Sequence, residues 1–214
     1  MQVEDRANEA NQQLDRLAPV VKPLVVPRGL ENIAWTLEGL CKSEKQRQAL
    51  RTFVNKQSKA ISACAGCRRS MASASLQFTP HWEVDVKRKQ YCLTNLQFLC
   101  QECRELKDVP GYMTKALAAE DEAWHKQKEQ HWSRVNGPTQ QGNTSSHIAA
   151  QMQLAYNMAY SLYVIASNIP RETLKLVVAP TGGTQDGQPA SLENLPPTAD
   201  LPALLLPLLP TQKK

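Results

Sequence analysis

At 214 residues with 42% hydrophobic content, the chain can bury one ordinary core with flanking segments or two small domains, which excludes a wholly unstructured polymer. A formal net charge of +5 permits a polyanionic partner without demanding one. No run of about 18 apolar residues occurs, so the reading is a soluble chain with no membrane partner.

The acidic residues Glu4, Asp5, Glu9 and Asp15 near the start fit neither a secretory signal nor a transit peptide. Residues 1–29 read as an arm, with Pro19, Pro23 and Pro27 bracketing Val20, Val21, Val25 and Val26. Residues 30–60 read as a helical hairpin. Ile33, Leu37 and Leu40 recur at helical spacing, and Ser43 with Gln46 forms a capping box ahead of Leu50, Phe53 and Val54. Lys42, Lys45, Arg47, Arg51, Lys56 and Lys59 follow that hairpin with no aromatic residue between them on the basic face, the pattern of a solvated surface.

Residues 61–168 read as a module with flanking helices. Trp82, Val84 and Val86 alternate with His81, Glu83 and Asp85 at the period of a strand, and Lys87, Arg88 and Lys89 then separate them from Tyr91 and Leu93, as the turn of a β-hairpin would. After Cys103 a helical pattern stops near Pro110 and Gly111, resumes through Met113, Leu117 and Trp124, and ends at Asn136, Gly137 and Pro138. His125 and His131 lie six residues apart, do not share a helix face, and read as surface residues. A helix from about Ser146 to Asn168 is apolar on most sides and is expected to be buried. Residues 169–214 read as a disordered Pro/Leu-rich tail whose LPALLLPLLP stretch is a candidate docking segment.

Six cysteines are present, and four form two C-x2-C pairs, Cys64 with Cys67 and Cys100 with Cys103. Two such turns present the four thiolates that a tetrahedral structural Zn²⁺ takes, so the pairs predict one closed zinc site in an intracellular, reducing compartment. Zinc could also be held by three thiolates with His81 in place of the fourth. Cys41 and Cys92 remain and read as small buried hydrophobes. The fold class is therefore mainly α with a small α+β zinc-centred module, a β-hairpin plus a helix.

LTNLQFLCQECRELKD, from Leu93 to Asp108, resembles the second half of the HNH nuclease motif. HWEVD at His81–Asp85, HWSRVNG at His131–Gly137 and the pair His147–Ile148 are similar to further segments of a bacterial HNH-related family of treble-clef type. The resemblance covers about Cys64 to Ile165. It implies a β-hairpin and a helix around the metal, with His81 as general base and Asn95 fixing a loop. It also implies a catalytic Mg²⁺ or Mn²⁺ that stabilises the leaving phosphate, here near Asp85 or Asp108. The sequence departs from the family at Arg104 and Asp108, where the family carries metal-binding types, and arginine binds phosphate rather than a cation.

The expected function is a non-catalytic, zinc-stabilised module that binds DNA or RNA through Arg68, Arg69, Lys87, Arg88, Lys89, Arg104 and Lys107. One alternative is a structural or adaptor subunit that meets a protein partner through helix 147–167 or the C-terminal tail. The other is a divalent-metal-dependent endonuclease that hydrolyses phosphodiesters.

Overall fold

The computed structural model describes residues 3–17, 21–109, 111–113, 122–136, 145–179, 190–193, 196, 198 and 200–209. The segment read as a loose arm opens with a helix, α1 (Val3–Leu17), which buries Ala7, Ala10 and Leu14, spaced three and four apart on one stripe. The proline-punctuated stretch after it is not free either. Val21, Leu24, Val25 and Val26 are buried, and Leu24 N–H donates to the Lys107 carbonyl at 2.9 Å.

The helical pair follows as α2 (Glu31–Thr36) and α3 (Glu44–Lys59), with Leu37 in the left-handed region closing α2. At the start of α3 the Ser43 hydroxyl accepts from Gln46 N–H at 3.2 Å, while the Gln46 side chain reaches back to Lys42 N–H at 2.7 Å. The Gln46 N–H is one of the first-turn donors that have no acceptor within the helix itself.

Strands β1 (Gln77–Asp85) and β2 (Gln90–Leu99) form an antiparallel hairpin with the basic triplet at its turn. His81 pairs with Asn95 and Trp82 with Leu93, so Thr94 is an extra residue opposite the His81–Trp82 step. This bulge switches the buried phase of β2 from Tyr91 and Leu93 to Leu96 and Phe98. Trp82 and Tyr91 stack on the core face with ring centroids 4.6 Å apart.

The helices α4 (Gln101–Lys107), α5 (Glu122–Asn136) and α6 (Ser145–Ser167) then carry the chain back to β3 (Lys175–Val178), which pairs in parallel with β2 and takes β4 (Ala190–Ser191) on its other edge. The result is mainly helical with a small mixed sheet in the order β1-β2-β3-β4.

The C-terminal segment departs from the disordered tail expected for 169–214, although 180–189 and 210–214 lie outside the described residues. Beyond β3 and β4, a short helix α7 (Leu201–Leu205) packs on α3, and Leu192, Leu201, Leu205 and Leu208 are buried. The prolines cap short elements here, and the leucines between them have a core to enter. Helix α6 is also not buried all round. Met152, Ala155, Tyr156, Ala159, Leu162 and Ala166 face the core, while Leu154, Tyr160 and Val164 are exposed. Among the described residues no helix is long and apolar enough to cross a membrane.

Candidate metal centre

The first cysteine pair sits on a tight turn. Met71 N–H donates to the Ser62 carbonyl at 2.8 Å, Cys64 N–H to Arg69 at 3.0 Å, and Arg68 N–H to Cys64 at 3.0 Å, so residues 62–71 close as a knuckle. Arg68 adopts φ 59°, a left-handed conformation at the point where the turn reverses. Ala65 N–H donates to the Phe98 carbonyl at 2.9 Å and thereby docks the knuckle on the end of β2. Gly66 is required by space: a Cβ there would lie 2.6 Å from Val21 Cγ2 and 2.9 Å from Cys103 Sγ.

The second pair opens α4. Cys100 is the extended residue that starts the helix, and Cys103 lies on its first turn, which brings both sulfurs to the side facing the knuckle. The Sγ atoms of Cys64, Cys67, Cys100 and Cys103 lie within 4.8 Å of one another, and none of the four is in a disulfide. Cys67 Sγ and Cys100 Sγ are 3.8 Å apart. A tetrahedron with metal–sulfur bonds of about 2.3 Å has an edge of about 3.8 Å, so this separation fits a single ion at the centre. The four cysteines can therefore hold a metal ion, and His81, which lies elsewhere in the module, is not needed in the shell.

The surroundings favour the thiolate at Cys64, whereas burial raises the pKa of Cys100. Cys100 N–H donates to Cys64 Sγ at 3.3 Å. The Cys64 thiol is drawn down to about 4, chiefly by its hydrogen bond with Cys103 and further by backbone N–H groups of Cys100, Cys67 and Gly66, against the opposing effect of burial. The hydrogen bond with Cys64 and burial push Cys103 up in turn. Arg69 Nε lies 3.4 Å from Cys67 Sγ, and the same guanidinium pairs with Glu102. His131 Nε2 lies 3.2 Å from Cys103 Sγ, and His131 Nδ1 lies 3.4 Å from a Glu102 carboxylate oxygen. Arg69, Glu102 and His131 thus partly encircle the four sulfurs.

The expectation that His131 is a surface residue is corrected: it is 3% exposed. Its chain distance from the cysteines gave no pattern to read, because α5 meets α4 only in the folded protein.

His81 lies in the middle of β1, on the face covered by α4. Its Nδ1 is 3.0 Å from Lys107 Nζ, which also donates to Gln97 Oε1 at 3.1 Å. Lys107 is 1% exposed, so it cannot reach a phosphate, and its assignment as a nucleic-acid contact is corrected. Burial lowers its pKa to about 7, even with His81 and Gln97 as polar partners. His81 is held down to about 4 by burial first and by the Lys107 charge second, with Glu83, 3.7 Å from its Nε2, acting the other way.

Asn95 spends its side-chain oxygen on its own neighbour, accepting from Leu96 N–H at 2.7 Å beside the bulge. Asp85 accepts from Arg88 N–H at 2.9 Å in the hairpin turn, and Asp108 from Gly111 N–H at 3.2 Å. Among the described residues His81, Asp85 and Asp108 form no cluster with metal-ligand spacing.

The other basic candidates divide into two sets. Lys87, Arg88 and Lys89 are exposed at the hairpin tip, while Arg68 is exposed at the knuckle. Arg69 is tied to sulfur and to Glu102. Arg104 stands 5.0 Å over the Trp35 ring and donates to Gln77. β1 has 9 residues, and at ~3.3 Å per residue the tip lies about 25–30 Å from the metal centre. Cys41 is buried, whereas Cys92 is half-buried and lines a cleft between α1 and the hairpin with Asn11, Lys22 and Glu83.

No family model matches the chain, and no curated protein and no solved structure matches it.

Proposed function

We propose that the chain is a zinc-stabilised module of HNH-like, treble-clef type that binds nucleic acid without cutting it. The order of parts supports this reading: a cysteine knuckle, a β-hairpin, and a helix whose first turn supplies the second cysteine pair. Zinc is the ion of choice because four thiolates at tetrahedral spacing suit it, and a closed shell leaves no position for substrate. The ion would be structural.

The observation that separates binding from cleavage is the occupied lone pair of His81. A general base must offer a free nitrogen to water. Nδ1 of His81 is engaged by Lys107, and its low pKa makes it a weak base at neutral pH. The phosphate contacts would come from Lys87, Arg88 and Lys89, three exposed cations on a stiff hairpin, with Arg68 as a separate contact at the knuckle.

Fluorescence anisotropy with duplex DNA, single-stranded DNA and RNA tests the reading. Three phosphate contacts predict affinity falling about 40-fold between 50 and 200 mM salt, and loss of binding on joint substitution of Lys87, Arg88 and Lys89 by Glu. Salt-insensitive binding, or none to any of the three, would overturn it. Plasmid nicking with Mg²⁺ or Mn²⁺ that disappears in His81→Ala would replace it with the nuclease reading.

A further inference from the structure

Beside the four sulfurs one buried polar atom has no partner. His131 is 3% exposed, and among the described residues its Nδ1 has no hydrogen-bond partner. The other ring nitrogen, Nε2, lies 3.2 Å from Cys103 Sγ. A metal-bound thiolate has no proton to give, so the ring proton belongs on Nε2 and Nδ1 is left as a bare lone pair. That lone pair faces a Glu102 carboxylate oxygen at 3.4 Å. Two acceptors turned toward each other in a buried place repel unless a cation lies between them.

Cys100 completes a set of three. Its Sγ, a Glu102 carboxylate oxygen and a His131 ring nitrogen all lie within 4.8 Å of one another. Cys100 and Glu102 come from the start of α4, and His131 from α5, which packs on it. In a tetrahedral site, metal–nitrogen and metal–oxygen bonds of about 2.1 Å hold the two atoms about 3.4 Å apart. Nδ1 and the Glu102 oxygen already stand at that separation.

From this arrangement we infer a second metal site, in which Cys100 Sγ, Glu102 and His131 Nδ1 bind a further Zn²⁺ and the Cys100 thiolate is shared between two ions. The inference rests on the reading of the four cysteines as a zinc centre. Sulfur keeps lone pairs after binding a first ion, and a thiolate, an imidazole and a carboxylate together are donors that zinc takes. Three protein ligands leave a fourth position to water, so this ion exchanges more readily than one in a closed shell.

Charge favours the second ion. Four thiolates and Glu102 bring five negative charges, and a first divalent ion with Arg69 returns three, so two remain for a second divalent ion to cancel. Lys128 and Glu105 pair with each other and leave the balance unchanged, and Arg134 is exposed to solvent. Arg69 spans Glu102 and Cys67 and is the cation with which the ion competes. Its side chain is 43% exposed and that of Glu102 37%, so the guanidinium can swing outward and the ion enters from that side.

Equilibrium dialysis of the reduced full chain against micromolar Zn²⁺, with the metal counted by mass spectrometry, tests the site. The wild type should hold two zinc ions per chain. Glu102→Gln, which leaves every sulfur and His131 in place, should hold one, as should His131→Gln, while Arg69→Gln should keep two. His147→Gln, at an exposed histidine on α6, should also keep two. One ion in the wild type, as expected if a proton rather than a metal lies between Nδ1 and Glu102, would overturn the inference and leave the four-cysteine centre standing. A second ion that survives Glu102→Gln, or that is lost with His147→Gln, would be a surface ion and would overturn it equally. No retained zinc at all would remove the four-cysteine reading together with it.

Discussion

Lys107 Nζ and His81 Nδ1 lie 3.0 Å apart, across the junction where α4 covers the hairpin. With Nδ1 accepting, the imidazole proton sits on Nε2, toward Glu83. Glu83 in turn pairs with Lys22 at 3.3 Å, and Lys22 with Asp15 at 2.8 Å. A chain of alternating groups therefore runs from the buried lysine to α1 at the surface, and one lysine links a helix to both strands through His81 and Gln97.

That lysine makes stability depend on pH with a definite sign. Burial brings its folded pKa to about 7 from an ordinary 10.5. Between these values the unfolded chain binds the additional proton, so stability rises with pH from 7 toward 10, and below 7 both states are protonated and the burial cost is complete. Urea denaturation of the wild type and Lys107→Met at pH 7 and 9 should show the wild type gaining about 2–3 kcal/mol relative to the variant. Parallel curves would show that the amine titrates normally.

His81 and Glu83 act in a lower window. The His81 pKa lies near 4 instead of 6.5, so the unfolded state takes up its proton first and stability falls as pH drops from 6.5 to 4. Glu83, held at about 2 chiefly by its interaction with the nearby His81 imidazole, adds a loss that sets in below 4.5. His81→Gln should flatten the stability curve between pH 4 and 6.5, and a curve unchanged from wild type would remove His81 from the account.

The cysteine spacing made the four-thiolate cluster legible in advance, because a C-x2-C turn is a local feature. The alternation of Trp82, Val84 and Val86 did the same for the hairpin. Three features were not legible, for one reason: each depends on which element covers which. His131 reaches Cys103 only through the packing of α5 on α4, Lys107 is a buried cation because α4 lies on the hairpin, and the leucines after Asp200 are core because α3 offers them a groove. A lysine reads as surface by default, and a Pro/Leu-rich run reads as tail, until the neighbour is known. The bulge at Thr94 shifted the burial phase of β2 by one residue, which no strict period-two pattern anticipates.

His131 should control how tightly the metal is held. Its Nε2 lies 3.2 Å from Cys103 Sγ, where an N–H donor offsets thiolate charge and orients the ligand. Removal of such outer partners commonly weakens binding by about 10–100-fold. Competition with a chromophoric chelator should show that loss for His131→Phe, with the far-ultraviolet spectrum restored by excess Zn²⁺. Unchanged affinity would mean that the contact does not tune the site.

Gly66→Ala probes the knuckle without replacing a ligand. The added methyl would stand 2.9 Å from Cys103 Sγ and 2.6 Å from Val21 Cγ2, both packed inside. Overpacking of this kind costs about 1–3 kcal/mol. Lower thermal stability and weaker metal retention should appear together, since the same methyl presses on a ligand and on the core. Wild-type behaviour in both would show that the knuckle moves freely.

Two neighbouring leucines decide whether the C-terminal segment belongs to the fold. Leu205 is 0% exposed and Leu206 is 52% exposed. If α7 is docked on α3, Leu205→Ala leaves a cavity and costs about 2–5 kcal/mol, whereas Leu206→Ala changes stability by no more than about 0.5 kcal/mol. A loose tail predicts the smaller value for both. The anchoring is supported by polar contacts independent of the leucines, since Lys42 Nζ donates to the Glu193 carbonyl at 2.9 Å and Gln46 Nε2 to that of Pro196 at 3.3 Å. Urea denaturation of the two variants therefore reads the docking directly, and equal midpoints would detach the segment from the core.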